Sequence, residues 1–256
     1  MPIVFEFLPF SMFHRKHLPV VESTNDWLKK KLEEGTIENN LLIFTQNQTK
    51  GRGQFDRQWH MEPDLDLAFS FFIEVPKVGE NFLPAIHSMT VCLALHNTFD
   101  RLGIPALIKW PNDLLAHGKK ISGILLESIL SGKKIYLING IGINLNSARK
   151  DKQSNYPSIS VKDIICRDVL AEDFIDVFEE SFKFFYSIYN RDDHATILSA
   201  YEKNMYKLGE VIALKELKNN QILLSKIKCV DAQGRLIVEH EESLKSFHSG
   251  EVKWLM

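Results

Sequence analysis

Cysteine is scarce in this chain: Cys92, Cys166 and Cys229 are odd in number and far apart, which excludes a disulfide framework and a cysteine-rich metal site and fits a reducing compartment. Long apolar runs are missing too, since no stretch approaches the roughly 20 residues needed to cross a bilayer as a helix. The apolar opening, residues 1–13, is broken by Pro2, Glu6 and Pro9; without a basic leader or a small-residue cleavage site it reads as part of the mature fold. Charge of one sign is also lacking. Thirty-one Lys and Arg against thirty-three Asp and Glu leave a net charge of −2, so no global basic field draws the chain to DNA or an anionic membrane. The nine histidines include one close pair, His14-Arg-Lys-His17, but no His-Glu-x-x-His and no cysteine at zinc-ligand spacing; with no Gly-x-Ser-x-Gly elbow either, the pattern points away from metal hydrolysis and the elbow-type serine hydrolases. Repeats and low-complexity tracts are absent as well.

What is present describes a folded, soluble, cytoplasmic protein. Apolar residues make up 45% and charged residues 25% of the 256 positions, enough for one large domain or a large plus a small one. A capped start at Glu22-Ser-Thr-Asn-Asp precedes apolar Trp27, Leu28 and Leu32 and predicts a helix that Gly35 ends. Short apolar runs predict strands at Leu41–Thr45 and Leu67–Ile73, with a helix over Phe82–Arg101. Ala106–Trp110 then ends at Pro111, while Ile121–Leu130 and Lys134–Ile143 read as a hairpin across Ser131-Gly132. From Val161 to about Lys207 the pattern is helical, with Phe174, Val177, Phe178, Phe182 and Phe185 on one core face. Beyond Gly209, short β-branched runs at Val211–Leu214, Ile222–Val230 and Leu236–Glu239 predict a small β-barrel. Strands followed by segregated helices indicate an α+β chain, divided into residues 1–207 and residues 208–256.

Four constellations carry chemistry. In Gly51-Arg-Gly-Gln-Phe-Asp-Arg-Gln-Trp59 the glycines let backbone approach a ligand while Arg52 and Arg57 offer forked donors to an anion. A solvated flexible loop is the other reading. It is neither a dinucleotide fingerprint, because Asp56 replaces the third glycine, nor a Walker A loop. In Lys109-Trp-Pro-Asn-Asp-Leu114 a strand stopped by proline presents a cation, an indole, an amide and a carboxylate. Asn112 and Asp113 form either an Asx turn or a nucleotide site, in which Trp110 offers a flat face and Asp113 an oxygen ligand for Mg²⁺. Lys120 opens a strand that Gly123 interrupts, and Asn139-Gly-Ile-Gly-Ile-Asn144 removes two side chains from another.

Taken in order, Glu22-Ser-Thr-Asn25, Gln48 before Gly51-Arg-Gly53, Arg57-x-Trp59, Lys109-Trp-Pro-Asn-Asp113, Lys120-x-x-Gly123 and Gly140-x-Gly-x-Asn144 resemble the biotin–protein ligase family over residues 20–147. The resemblance implies a mixed β-sheet with helices packed on it, of the class II synthetase-like, biotin–lipoate ligase type, plus a small C-terminal SH3-like β-barrel. It implies adenylation of biotin by ATP with Mg²⁺, then transfer to a lysine of a biotin carboxyl carrier protein domain of a carboxylase. It places Ser23, Thr24, Asn25, Gln48 and Gly123 at the biotin rings, and Gly51, Arg52, Gly53 and Gln54 in a loop over biotin. Lys120 would stand between biotin carboxylate and α-phosphate, with Arg52 as the second catalytic cation. Arg57, Trp59, Trp110, Asn112, Asp113 and Asn144 fall to the nucleotide. Gln54 stands where better-known members carry arginine, and a neutral amide implies faster loss of the adenylate.

Two relatives compete with this reading. A lipoate–protein ligase shares the adenylation step, but its arginine-plus-triple-glycine signature is missing here. A biotin-sensing repressor needs a helix-turn-helix domain, for which the stretch before Ser23 is too short. Strand edges leave homodimerisation by sheet extension open.

Overall fold

The computed structural model describes residues 11–37, 40–55, 57–75, 83–132, 134–148 and 157–255. Most of the opening apolar stretch, residues 1–10, and Asp56 lie outside the described residues. In chain order the elements are β1 (His14–His17), α1 (Thr24–Glu33), β2 (Leu41–Thr45), β3 (Leu67–Val75), α2 (Pro84–Arg101), β4 (Ala106–Lys109), β5 (Asp113–Ala116), β6 (Lys119–Ser131) and β7 (Lys134–Ile143). There follow α3 (Val161–Ile165), α4 (Ala171–Tyr189), α5 (His194–Lys203), β8 (Val211–Glu216), β9 (Ile222–Val230), β10 (Leu236–His240), β11 (Ser243–Phe247) and β12 (Val252–Leu255).

Seven strands form one mixed sheet in the order β1-β2-β3-β7-β6-β5-β4. Only the β1–β2 pair is parallel. Strand alternation gives this sheet two unlike faces. On the back face Phe69 and Phe71 of β3 meet Phe178 and Phe182 of α4, with ring centroids 5.0 Å apart for Phe69–Phe178 and 4.8 Å for Phe71–Phe182. The predicted aromatic stripe of α4 is therefore core: Phe174, Phe178 and Phe182 are fully buried, and α2 packs beside them. On the front face α1 lays Leu28 and Leu32 against Leu41, Ile43, Phe72 and Ile138. Its start follows from capping, since Ser23 Oγ accepts from the Asp26 N–H, and Asp26 in the first turn with Lys30 and Lys31 in the last suits the helix dipole.

The second sheet, antiparallel throughout, runs β11-β10-β9-β8-β12, in agreement with the small SH3-like module expected. It shares its core with the first: Ile212, Leu214 and Trp254 belong to one buried cluster with Phe99 and Phe178. Hydrogen bonds reinforce the seam, from Trp110 Nε1 to the Gly234 carbonyl at 2.9 Å and from the Val230 N–H to Glu202 Oε1 at 2.9 Å.

Candidate functional site

Register builds the floor of the site. Pairing sets Ala68, Gly142 and Gly123 side by side across β3, β7 and β6, and Ser70, Gly140 and Leu125 in the next row. Small residues here leave a cavity of about 490 Å³, within the usual range for a ligand pocket. The space above each glycine is already claimed. A Cβ on Gly140 would overlap the Asn25 carboxamide, one on Gly142 would overlap the Trp59 indole, and one on Gly123 would stand 3.1 Å from Lys120 Nζ.

Lys120 reaches this floor through a bulge. Leu114 pairs with Ser122 but Leu115 pairs with Lys120, so Ile121 is an extra residue. In an uninterrupted strand, residues three apart face opposite sides; the bulge turns Lys120 to the side of Gly123. Its ammonium lies 2.6 Å from Asp113 Oδ1 and 5.4 Å from the Trp59 ring centroid. The backbone beneath is fixed, because the Lys120 N–H donates to the Pro157 carbonyl and the Lys120 carbonyl accepts from Ile159 N–H and Asn144 Nδ2. Asn112 Nδ2 likewise donates to the Ile124 carbonyl, so both asparagines brace the strand that carries the lysine.

The start of α1 forms a second, preorganised wall. Gln48 Oε1 accepts from the Thr24 N–H at 2.9 Å and from Thr24 Oγ1 at 3.2 Å. Ser70 Oγ lies 2.7 Å from both Thr24 Oγ1 and Asn25 Oδ1, and Asn25 Nδ2 donates to Glu127 Oε2 at 2.7 Å. A hairpin makes the third wall, with Arg52 paired to Gln58 and the Trp59 N–H bonded to the Gly51 carbonyl. Arg52 is held by Asp26 Oδ1 at 2.5 Å and Glu127 Oε2 at 3.0 Å. Partial burial works against its charge, but these carboxylates outweigh that and hold its pKa above the usual guanidinium value.

The cavity is electropositive. Among the described lining residues Asp113 is the one acid, against Arg52, Arg57, Lys109, Lys120 and Lys253. Burial lowers the Lys109 pKa below the ordinary ammonium value; Asp113 opposes this, and Lys120, Arg57 and Lys253 add to it. Such a site favours an anion that would spread charge among these cations.

Of the residues expected from sequence, Ser23, Thr24, Asn25, Gln48, Arg52, Gly53, Gln54, Arg57, Trp59, Asn112, Asp113, Lys120, Gly123 and Asn144 line this one cavity. Gly51 does not; a Cβ there would collide with Trp59 and Gln48, so its role is to let the hairpin strands close. Trp110 requires a correction. It is only 4% exposed and packs in the core, because the Gly234 carbonyl satisfies its indole N–H inside, and its face is unavailable to a base. Ser70, Ser158 and Lys253 were missed. Lys109 stood in a recognised motif without being assigned a role, whereas nothing local marks the other three.

The family model described as the biotin/lipoate A/B protein ligase family matches residues 17–144. The chain is 32% identical to the biotin–[acetyl-CoA-carboxylase] ligase of Paracoccus denitrificans, covering 71% of this chain and 77% of that protein. It is 25% identical to the bifunctional ligase/repressor BirA of Bacillus spizizenii, over 94% of this chain and 74% of the relative. Among solved structures, the biotin protein ligase of Aquifex aeolicus in complex with biotin and ATP superposes with a TM-score of 0.75 at 28% identity, covering 94% of this chain and 98% of the other.

Proposed function

This chain belongs to the biotin/lipoate A/B protein ligase family, and we propose that within it the protein is a biotin–protein ligase, which activates biotin with ATP and passes it to a lysine of another protein. The observation that carries this reading is that Arg52 and Lys120, from distant parts of the chain, line one cavity with the Ser23–Asn25 wall.

In the first step an oxygen of the biotin carboxylate attacks the α-phosphorus of ATP; the bond to the bridging oxygen breaks, pyrophosphate leaves, and biotinyl-5'-AMP forms. Little acid–base chemistry is required, so positioning and cations aimed at the developing charge supply the acceleration. Lys120 is the cation for that charge, and Arg52 assists it. Ser23, Thr24, Asn25, Gln48 and the Gly123 backbone serve the ureido ring, whose polar groups would each cost about 1–3 kcal/mol if buried unpaired. Arg57, Trp59, Asn112, Asp113 and Asn144 serve the nucleotide. In the second step an acceptor lysine amine attacks the acyl carbon, AMP departs, and the amine loses a proton as the amide forms.

Magnesium suits this site only in company with the nucleotide. Among the described residues no group of three or more His, Cys, Asp or Glu could hold a metal, and Asp113 offers one oxygen, the kind of sparse protein contribution Mg²⁺ accepts beside phosphates. When bound it would neutralise phosphate charge.

The acceptor is the biotin carboxyl carrier domain of a carboxylase, a reading supported by the acetyl-CoA-carboxylase ligase to which the chain is similar. A cytoplasmic location fits such a partner; among the described residues no helix is long and apolar enough to cross a membrane. Residues 1–207 form the catalytic unit and 208–256 a smaller one, supported by the separate pairing of β8 to β12.

Biotin-dependent exchange of labelled pyrophosphate into ATP tests the first step. Exchange with biotin and not with lipoate is expected, and preference for lipoate would overturn the assignment.

A further inference from the structure

The hairpin and the second sheet meet at a contact that the chemistry above does not use. The hairpin closes through the Gly53 N–H to the Arg57 carbonyl at 2.7 Å and the Trp59 N–H to the Gly51 carbonyl at 2.9 Å. Its tip reaches the turn between β11 and β12. There the Phe55 ring lies against Gly250, where an added Cβ would stand 2.5 Å from Phe55 Cζ, and Ser249 Oγ donates to Gln54 Oε1 at 3.3 Å. Gly250 holds φ +90°, which favours glycine, and Phe55 itself holds φ 56°.

The receiving turn is braced from within. The His248 N–H donates to Glu251 Oε2 at 2.6 Å, and the Leu217 N–H donates to the Glu251 carbonyl at 2.8 Å. An apolar ring at the tip of a polar loop, in a backbone conformation costly for phenylalanine, persists when its surroundings hold it there. Phe55 remains 58% exposed and does not line the cavity. Its neighbours Arg52, Gly53, Gln54, Arg57 and Trp59 do, and so does Lys253 of β12.

We propose that the Ser249–Gly250 turn latches the Gly51–Trp59 hairpin over the cavity, with Phe55 as the positioning residue, so that the C-terminal sheet sets how long an acyl-adenylate is held before transfer. The consequence rests on the adenylation reading; the latch itself does not. Gln54, the departure from arginine, takes part in this contact, its carbonyl oxygen accepting from the Ser249 hydroxyl, a group that can equally accept from a donor.

Two measurements test it. Hydrogen exchange at the Gly53 and Trp59 amides of the ligand-free protein reads the latch without substrate: Phe55→Ala, Phe55→Gly and Gly250→Ala should all speed it, and Phe55→Tyr should not. Phe55→Gly removes the ring while relieving the positive φ, so it separates the contact from backbone strain. Release of free biotinyl-AMP should then rise roughly fivefold in Phe55→Ala while pyrophosphate exchange stays unchanged. Amide exchange unaltered in all three variants would overturn the latch, and faster amide exchange with adenylate release unchanged would overturn its control over how long the adenylate is held. Faster amide exchange in the variants, together with no biotin-dependent pyrophosphate exchange in the wild type, would overturn the proposed function and leave the latch standing.

Discussion

The two faces of the seven-stranded sheet are made by alternate residues of the same strands, and they solve opposite problems. On β3, Phe69 and Phe71 fill the back while Ala68 and Ser70 clear the front; on β7, Ile141 and Ile143 fill the back while Gly140 and Gly142 clear the front. Bulk on one side holds the strands at fixed positions. Missing bulk on the other turns that rigidity into a cavity whose floor cannot collapse, as cores packed at near-crystal density resist local deformation.

If stability resides behind the sheet and chemistry in front, substitutions should separate cleanly. Phe178→Ala, on the back, should cost about 3–5 kcal/mol of stability by leaving a cavity, visible as a lower urea midpoint, with pyrophosphate exchange per folded molecule little changed. A loss of exchange comparable to that of a front-face variant would break the division. Lys120→Ala, on the front, should lower the exchange rate by about 10²–10³-fold while stability moves by less than about 1 kcal/mol, its partly exposed ion pair with Asp113 contributing little. Full activity in that variant would remove Lys120 from the mechanism.

His87 sharpens the comparison because it is a polar residue on the aromatic side. It is fully buried, with Nε2 2.9 Å from Asn139 Oδ1 and with Tyr186 and Tyr189 as ring neighbours. Burial lowers its pKa to about 4 from the ordinary 6.5, the Asn139 bond opposing. Between those values the unfolded chain binds more protons than the folded one. Its contribution is therefore complete above pH 6.5 and falls as the pH drops toward 4, by about 3 kcal/mol in all. Urea unfolding of wild type and His87→Gln across that window should give a shallower slope for the variant; parallel slopes would clear His87 of any role. The smallest effect is expected at the roof: Gln54→Arg should slow release of free biotinyl-AMP a few-fold, and equal release rates would mean that charge at this position does not retain the adenylate.

The faces also explain what could be read from the chain. Bulk announces itself through periodicity, so the stripe of α4, the α1 cap and the hairpin of β6 and β7 were legible, as were the motif residues that line the cavity. Features that depend on distant partners were not. The strand β1 has only four polar-rich residues and takes its place from β2, and β5 reads as a turn until β4 and β6 flank it. Ser70 is one serine in an apolar strand, and its meaning comes from Thr24 and Asn25 far earlier in the chain. The second sheet's Lys253 enters the cavity through tertiary packing alone. Trp110 failed for the same reason in reverse, since the carbonyl that claims its indole belongs to Gly234.

The glycine floor limits how the pocket can be re-engineered. Gly123, Gly140 and Gly142 already have no side chain to give up, so the floor cannot be deepened at those positions to admit a bulkier acid. Room for larger vitamin analogues would have to come from trimming Leu125, the bulky member of the same floor, or loosening the hairpin above, and the second route would trade selectivity for a leakier enzyme.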